Sequence, residues 1–168
     1  MNDKKIRKLV LAALLAALVC VATMVVQIPS PMQGYVNLGD CFVLLSGWLL
    51  GPWYGGAAAG IGSMLVDLLS GYGHYVPGTL IIKGVMALVA ALMYEKMGRT
   101  ATSRIAGGVV SEIIMVLGYF GYASLLLGKG LAAAASIPGN IFQGAVGLVV
   151  GVLLVTVLER AKVTEKLA

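Results

Sequence analysis

Charge is what this sequence has least of. Among 168 residues, Lys and Arg supply 12 and Asp and Glu supply 7, so 11% are charged against 60% hydrophobic. Mean hydropathy is +0.96. Soluble domains carry about 25% charged residues, and a water-soluble globule of this size cannot hide so much apolar surface behind a wettable exterior. Composition therefore excludes a soluble domain, a disordered chain and a nucleic-acid-binding domain. Histidine is nearly absent too: His74 stands alone, which argues against a histidine-based metal site. The two cysteines, Cys20 and Cys41, lie in apolar runs without zinc spacing or a CxxC, and read as buried small hydrophobes. No phosphate loop, nucleophile–base pair or metal motif is visible, and Gly60-Ile61-Gly62 lacks a dinucleotide-binding context. The expectation is a protein that is not an enzyme, holds no cofactor or metal, and cannot hydrolyse ATP by itself.

What is present is long apolar runs. A spanning helix needs about 20 apolar residues. The runs divide into six expected spans at 5–27, 38–51, 53–70, 77–96, 104–127 and 134–160, in one integral membrane domain covering 1–168. The 38–70 run is too long for one span, and Gly51-Pro52 inside it marks the break, because proline removes a helical donor. The basic N-terminus superficially suggests a signal peptide, but the apolar stretch runs to Val26 without a small-x-small site before Pro29. It is read as a retained first span. The fold class is an all-α membrane protein, six transmembrane helices in a compact bundle.

Lys4, Lys5, Arg7 and Lys8 precede the first span, Lys96, Arg99 and Arg104 lie between the fourth and fifth, and Arg160, Lys162 and Lys166 follow the sixth. Only Lys129 falls in a loop on the other side. By the positive-inside rule both termini are cytoplasmic in a multi-pass protein of the cell membrane, and loops 28–37, 71–76 and 128–133 are external. The net charge of +5 is thus an orientation signal and needs no nucleic-acid partner.

Small residues let membrane helices approach closely. Gly56xxxGly60 and Gly147xxxGly151 read as internal packing sites. Ala12, Ala13, Ala16 and Ala17 form two overlapping AxxxA pairs on the first span, and could pack internally or dock another membrane protein.

Four ionisable residues fall inside spans: Asp40, Asp67, Lys83 and Glu112. Each is costly in hydrocarbon and is a functional hypothesis by default. At about 1.5 Å rise per residue, Asp40, Asp67 and Lys83 sit at one height in the outer half, with Tyr119, Asn140 and Gln143; Glu112 sits nearer the middle. Asp67 near a helix C-terminus and Lys83 near a helix N-terminus both oppose the helix dipole, so each needs a partner, and each other is the simplest choice. Asp40 could instead cap or stabilise the start of the second span. Glu112 has a bland reading as a protonated, silent acid. The external loops add Asn37, Tyr72, His74 and Tyr75 with turn-forming glycines, and the whole cluster suggests a small-ligand site above a polar cavity.

The stretch Gly34-Tyr35-Val36-Asn37-Leu38-Gly39-Asp40, with Gly51, Gly55 to Ser63, Asp67, Gly71-Tyr72, Pro77-Gly78-Thr79 and Lys83, resembles the substrate-binding S components of energy-coupling factor (ECF) vitamin transporters. The similarity is to the subgroup of hydroxymethylpyrimidine, pyridoxine and some riboflavin carriers. The resemblance implies a high-affinity vitamin site facing outward and closed by the first external loop and the loop between spans three and four. It implies delivery by toppling against a transmembrane T subunit, driven by two ATPase subunits that use the ATP. It also implies that an alanine stripe on the first helix contacts the T subunit, here Ala12/Ala16 or Ala13/Ala17, with Arg7 preceding it. The expected substrate site is Asn37, Asp40, Asp67, Tyr72, His74, Tyr75, Lys83, Glu112, Tyr119, Asn140 and Gln143, with hydroxymethylpyrimidine or pyridoxine favoured over riboflavin. Two other classes stay open at the level of the residues: an autonomous ion-coupled transporter with Glu112 and the aspartates as proton relay, and a structural membrane assembly factor.

Overall fold

A computed structural model describes residues 3–30 and 34–162; Lys166 of the orientation argument lies outside the described residues. Helix α1 spans Asp3–Val25, with Asp3 favourably placed in the first turn. It gives way to a small antiparallel hairpin, β1 (Gln27–Ser30) and β2 (Gly34–Asn37), in register Gln27↔Asn37 to Ser30↔Gly34. Pro29 is tolerated because a two-stranded ribbon leaves its missing N–H on a free edge. This hairpin occupies the loop expected at 28–37, beginning one residue earlier at Gln27 because α1 ends at Val25, and it is β-structure that the helical reading does not contain.

Helix α2 spans Asp40–Leu69 and is non-helical at Gly51, φ 78°, followed by Pro52. Only glycine adopts that backbone cheaply. The consequence is a reversal of direction. Eight residues of straight helix cover about 12 Å, yet a Cβ on Gly55 would lie 2.7 Å from the Gly47 Cα. The two halves of α2 therefore pack against each other, with the break where Gly51-Pro52 predicted it. Helix α3 (Val76–Lys96) opens with proline in its first turn. Helix α4 (Ala101–Gly121) opens with a reciprocal Thr100–Ser103 capping box. A π-helical turn at Tyr122–Leu126 and a 3₁₀ segment at Gly130–Ser136 lead into α5 (Ile137–Arg160). Among the described residues there are thus five α-helices, one of them folded back on itself.

The core is built from the halves of α2 and their neighbours. Leu15, Leu44, Leu45, Trp48, Ala58 and Val155 form one buried cluster, and Val19, Val43, Ala59, Met86, Ala87 and Met115 another. Outward faces stay apolar on every helix: Leu14, Leu68, Ile81, Leu117 and Leu153 are all exposed. Four helical segments, Asp3–Val25, Val76–Lys96, Ala101–Leu126 and Gly130–Arg160, are long and apolar enough to cross a bilayer. A bundle apolar inside and out is what a membrane requires.

Both GxxxG motifs pack internally. Gly56 and Gly60 face the α3 backbone at Gly84 and Leu80, and Gly147 and Gly151 face Asp40 and Cys41 at the start of α2. A Cβ on Gly47 would collide with the Ala87 carbonyl, whereas one on Gly73 would meet nothing within 4 Å. Gly47→Ala is expected to cost about 1–3 kcal/mol by overpacking, and Gly73→Ala to stay within about 0.5 kcal/mol. Thermal unfolding of the two purified variants in detergent checks the difference.

Candidate functional site

The hairpin, the start of α3 and the start of α5 meet at one end of the bundle. Beneath them lies a cavity of about 50 Å³. The hairpin lines it with Ser30, Gly34, Tyr35 and Asn37, and the helices with Thr23, Ser63, Asp67, Thr79, Lys83, Tyr119, Asn140 and Gln143; Tyr75 and Ser136 complete the wall. Seven of the expected site residues are thereby brought together: Asn37, Asp67, Tyr75, Lys83, Tyr119, Asn140 and Gln143. The common height of Asp67 and Lys83 follows from the fixed rise of their helices.

The ion pair differs from the expected one. Lys83 bonds Asp40, not Asp67. Asp40 is fully buried behind the cavity wall, and Gln143 Nε2 donates to its second oxygen at 2.7 Å. Asp40 is not the N-cap of α2, which is Gly39, but it stands in the first turn, where an anion is favoured, and its carboxylate also bonds Lys83 and Gln143. Height was readable but rotation was not, since Gly147 opens the space that turns Asp40 toward α3 and α5. Gln143 Oε1 in turn accepts from the Asn37 backbone N–H at 2.8 Å and its side-chain amide at 3.3 Å. Asn37 Oδ1 accepts from the Gly39 N–H at 2.8 Å, a local turn that feeds the chain into α2.

Asp67 takes a different partner. Its Oδ1 accepts a 2.6 Å hydrogen bond from the Tyr35 hydroxyl, while Oδ2 is buried without a hydrogen-bond partner. The Thr79 hydroxyl also lies beside this carboxylate, and accepts from the Tyr119 hydroxyl at 3.0 Å. Burial first, then the neighbouring Asp67 carboxylate, pushes the Tyr35 phenol up from its ordinary pKa, so Tyr35 remains a donor at neutral pH.

Tyr72 and His74 do not line the cavity; they sit above it. The Tyr72 ring lies 4.9 Å from Tyr35, His74 lies 4.8 Å from Tyr75, and Tyr75 lies 6.2 Å from Tyr119. The Lys83 ammonium is 5.5 Å from the Tyr119 ring centre. Glu112 is also outside the lining: it is buried against Gly144 in the field of Asp40 and Lys83, with neither carboxylate oxygen hydrogen-bonded. Among the described residues no cluster of His, Cys, Asp and Glu could hold a metal ion.

Tyr35, Ser63 and Thr79 are site residues that sequence reasoning missed. Tyr35 and Thr79 stand inside the quoted motif stretches, but a lone hydroxyl gives no charge signal. Arg104, counted as a topology marker, is 5% exposed at the opposite end of the bundle. Its guanidinium pairs with Glu159 at 2.7 and 3.3 Å, donates to Tyr94 at 2.7 Å and lies 4.5 Å from the Tyr94 ring centre. On α1, Ala12 and Ala16 turn inward, with the Ala16 backbone against Gly62, whereas Ala13, Ala17 and Arg7 are exposed.

Residues 3–160 match the family model described as ECF-type riboflavin transporter, S component. An uncharacterized Pyrococcus woesei protein is 41% identical over 135 residues, covering 79% of this chain and 88% of its own length. The thiamine precursor transporter HmpT of Lactococcus lactis subsp. cremoris is 30% identical over 162 residues, covering 95% of this chain and 92% of its own. A solved S component of a bacterial ECF transporter superposes with a TM-score of 0.74 at 24% identity, covering 93% of this chain and 97% of that one; this likeness establishes the fold.

Lys83→Met strands a fully buried Asp40 carboxylate and is expected to cost about 3–5 kcal/mol. The double variant Asp40→Asn/Lys83→Met removes the stranded charge and should recover most of that loss. Melting temperatures of the three proteins in detergent check the order wild type, double, single.

Proposed function

This chain belongs to the ECF-type riboflavin transporter S-component family, a family of membrane transporter subunits and not of enzymes, and from that premise we propose that it captures one small vitamin or vitamin precursor in the cavity beneath its hairpin. The carrying observation is the cavity itself: a polar chamber of about 50 Å³ at one end of an apolar bundle, roofed by the hairpin and by a cluster of tyrosines. A water molecule needs about 10–15 Å³ by the same kind of measure. The chamber as it stands has room for a few water-sized groups, and its lining of hydroxyls, amides and aromatic rings suits a small polar heteroaromatic compound. Hydroxymethylpyrimidine or pyridoxine is favoured over riboflavin, in keeping with the thiamine precursor transporter among the relatives.

In this reading the membrane is crossed six times, each half of α2 making one crossing. One domain serves the whole chain, both termini are cytoplasmic, and the hairpin faces outward. Asn37, Asp67, Tyr75, Lys83, Tyr119, Asn140 and Gln143 meet the ligand. Asp40 and Glu112 set the charge behind it, and Tyr72 and His74 belong to the covering loops. The chain holds no cofactor. A T subunit and two ATPase subunits, implied by the family, drive delivery by toppling.

The exposure of Ala13 and Ala17 supports this AxxxA register as the T-subunit contact, with Arg7, also exposed, preceding it on the same helix. Ala13→Trp and Ala17→Trp should leave vitamin binding intact while weakening co-purification with the T subunit about tenfold or more, or some 1.4 kcal/mol. Ala16→Trp, aimed at Gly62, should instead destabilise the fold. Pull-down and melting measurements on the three variants separate these outcomes.

The function itself is tested by calorimetric titration of the purified chain, without ATP or other subunits, against a panel of water-soluble vitamins and precursors. Saturable binding of one single-ring compound at one site per chain is expected. Absence of binding across the panel would sink the reading.

A further inference from the structure

We infer that Asp67 is the specificity-determining residue of the cavity, and that it selects a single heteroaromatic ring that turns an amino or ring N–H donor edge to Asp67 Oδ2. This rests on the vitamin-binding reading above and adds the chemistry the ligand must present.

The two carboxylates near the cavity differ in what remains unpaired. Asp40 has both oxygens engaged, one by Lys83 and one by Gln143. The Lys83 charge is spent on the same contact, so the one cation among the described lining residues is already neutralised locally. Asp67 is 3% exposed, has no ion-pair partner, and has one oxygen held by Tyr35 and the other held by nothing. Thr79 accepts from the Tyr119 hydroxyl and so keeps its own O–H, which lies beside the same carboxylate and is the one protein donor a ligand competes with there. A buried carboxylate oxygen without a partner carries a desolvation cost that a bound donor removes. A carbonyl or carboxylate placed there would set acceptor against acceptor.

The surroundings restrict the donor's bearer. Tyr35 and Tyr119 both line the cavity that contains Asp67, and supply aromatic faces for a flat ring. Asn37 and Gln143 are tied to each other and to Asp40, leaving Asn140 as the other polar amide lining the cavity. A site built to bond a donor rejects an isostere that lacks it far more strongly than an apolar pocket distinguishes sizes.

The test compares hydroxymethylpyrimidine in its amino form with the analogue of nearly equal size in which a methyl group replaces the amine, alongside pyridoxine and riboflavin. All are titrated into the full chain in detergent. The amino form is expected to bind about 100-fold or more tightly than the methyl analogue. Asp67→Asn should weaken the amino form and shrink that ratio toward one, with melting curves verifying that the variant is folded. The wild-type ratio stands even where the variant does not fold. Equal affinity for the amino and methyl forms, tighter binding of the methyl form or of riboflavin, or a folded Asp67→Asn that keeps the full ratio would overturn the role of Asp67 while leaving a vitamin site in place. No binding of any of the four would overturn the vitamin reading, and this inference with it.

Discussion

An ammonium and a carboxylate buried together in an apolar bundle fix more of this molecule than any other contact. Neither Lys83 nor Asp40 can be left alone in a medium of low dielectric constant, where an uncompensated charge costs several kcal/mol. Their pairing pins α3 to the start of α2. The second Asp40 oxygen then demands a donor, and Gln143 of α5 supplies it. With its NH₂ committed, the Gln143 amide must turn its oxygen the other way, and Asn37 donates to that oxygen from both backbone and side chain. The hairpin is thus seated by a chain of obligations that begins at one ion pair. Each link is directional, so the roof of the cavity has little freedom to sit elsewhere.

The same logic gives the cavity its polarity. The charge of the ion pair is satisfied internally, with Asp40 behind the wall and Lys83 on it. Asp67, also on the wall, keeps one carboxylate oxygen without a hydrogen-bond partner. The Tyr35–Asp67 hydrogen bond ties the hairpin to the end of α2 at the group that faces the chamber. Small residues make the arrangement possible. Gly147 leaves room for Asp40, Gly144 for Glu112, and Gly78 for the Tyr122 ring, whose hydroxyl holds the His74 carbonyl at 2.8 Å. At the far end, Arg104 and Glu159 close the bundle in a separate cluster with Tyr94.

What the sequence revealed depended on how local the cause was. The fold-back at Gly51-Pro52 was legible because the steric rules act on two adjacent residues. The internal role of both GxxxG motifs was legible because close helix approach needs small residues wherever it occurs. The gathering of Asp67, Lys83, Asn140 and Gln143 was legible from helical rise, which fixes height. Rotation about each helix axis was not. It decides that Lys83 meets Asp40, that Ala16 and not Ala17 packs on Gly62, and that Glu112 lies behind the wall. The hairpin escaped because four-residue strands beside Pro29 and Pro31 look like an ordinary loop. Arg104 escaped because a basic residue near a helix start is equally a topology marker and a buried clamp until Glu159, 55 residues away, is placed beside it.

The proposed function requires that the chain alone, without its partner subunits, encloses a single-ring vitamin in the chamber under the hairpin. Native mass spectrometry of the protein released from gently solubilised membranes tests this most directly. One retained ligand per chain, with the mass of a substituted single-ring heteroaromatic, is the predicted result. A retained species of flavin mass, or a chain that stays empty after incubation with the vitamin panel, would contradict it.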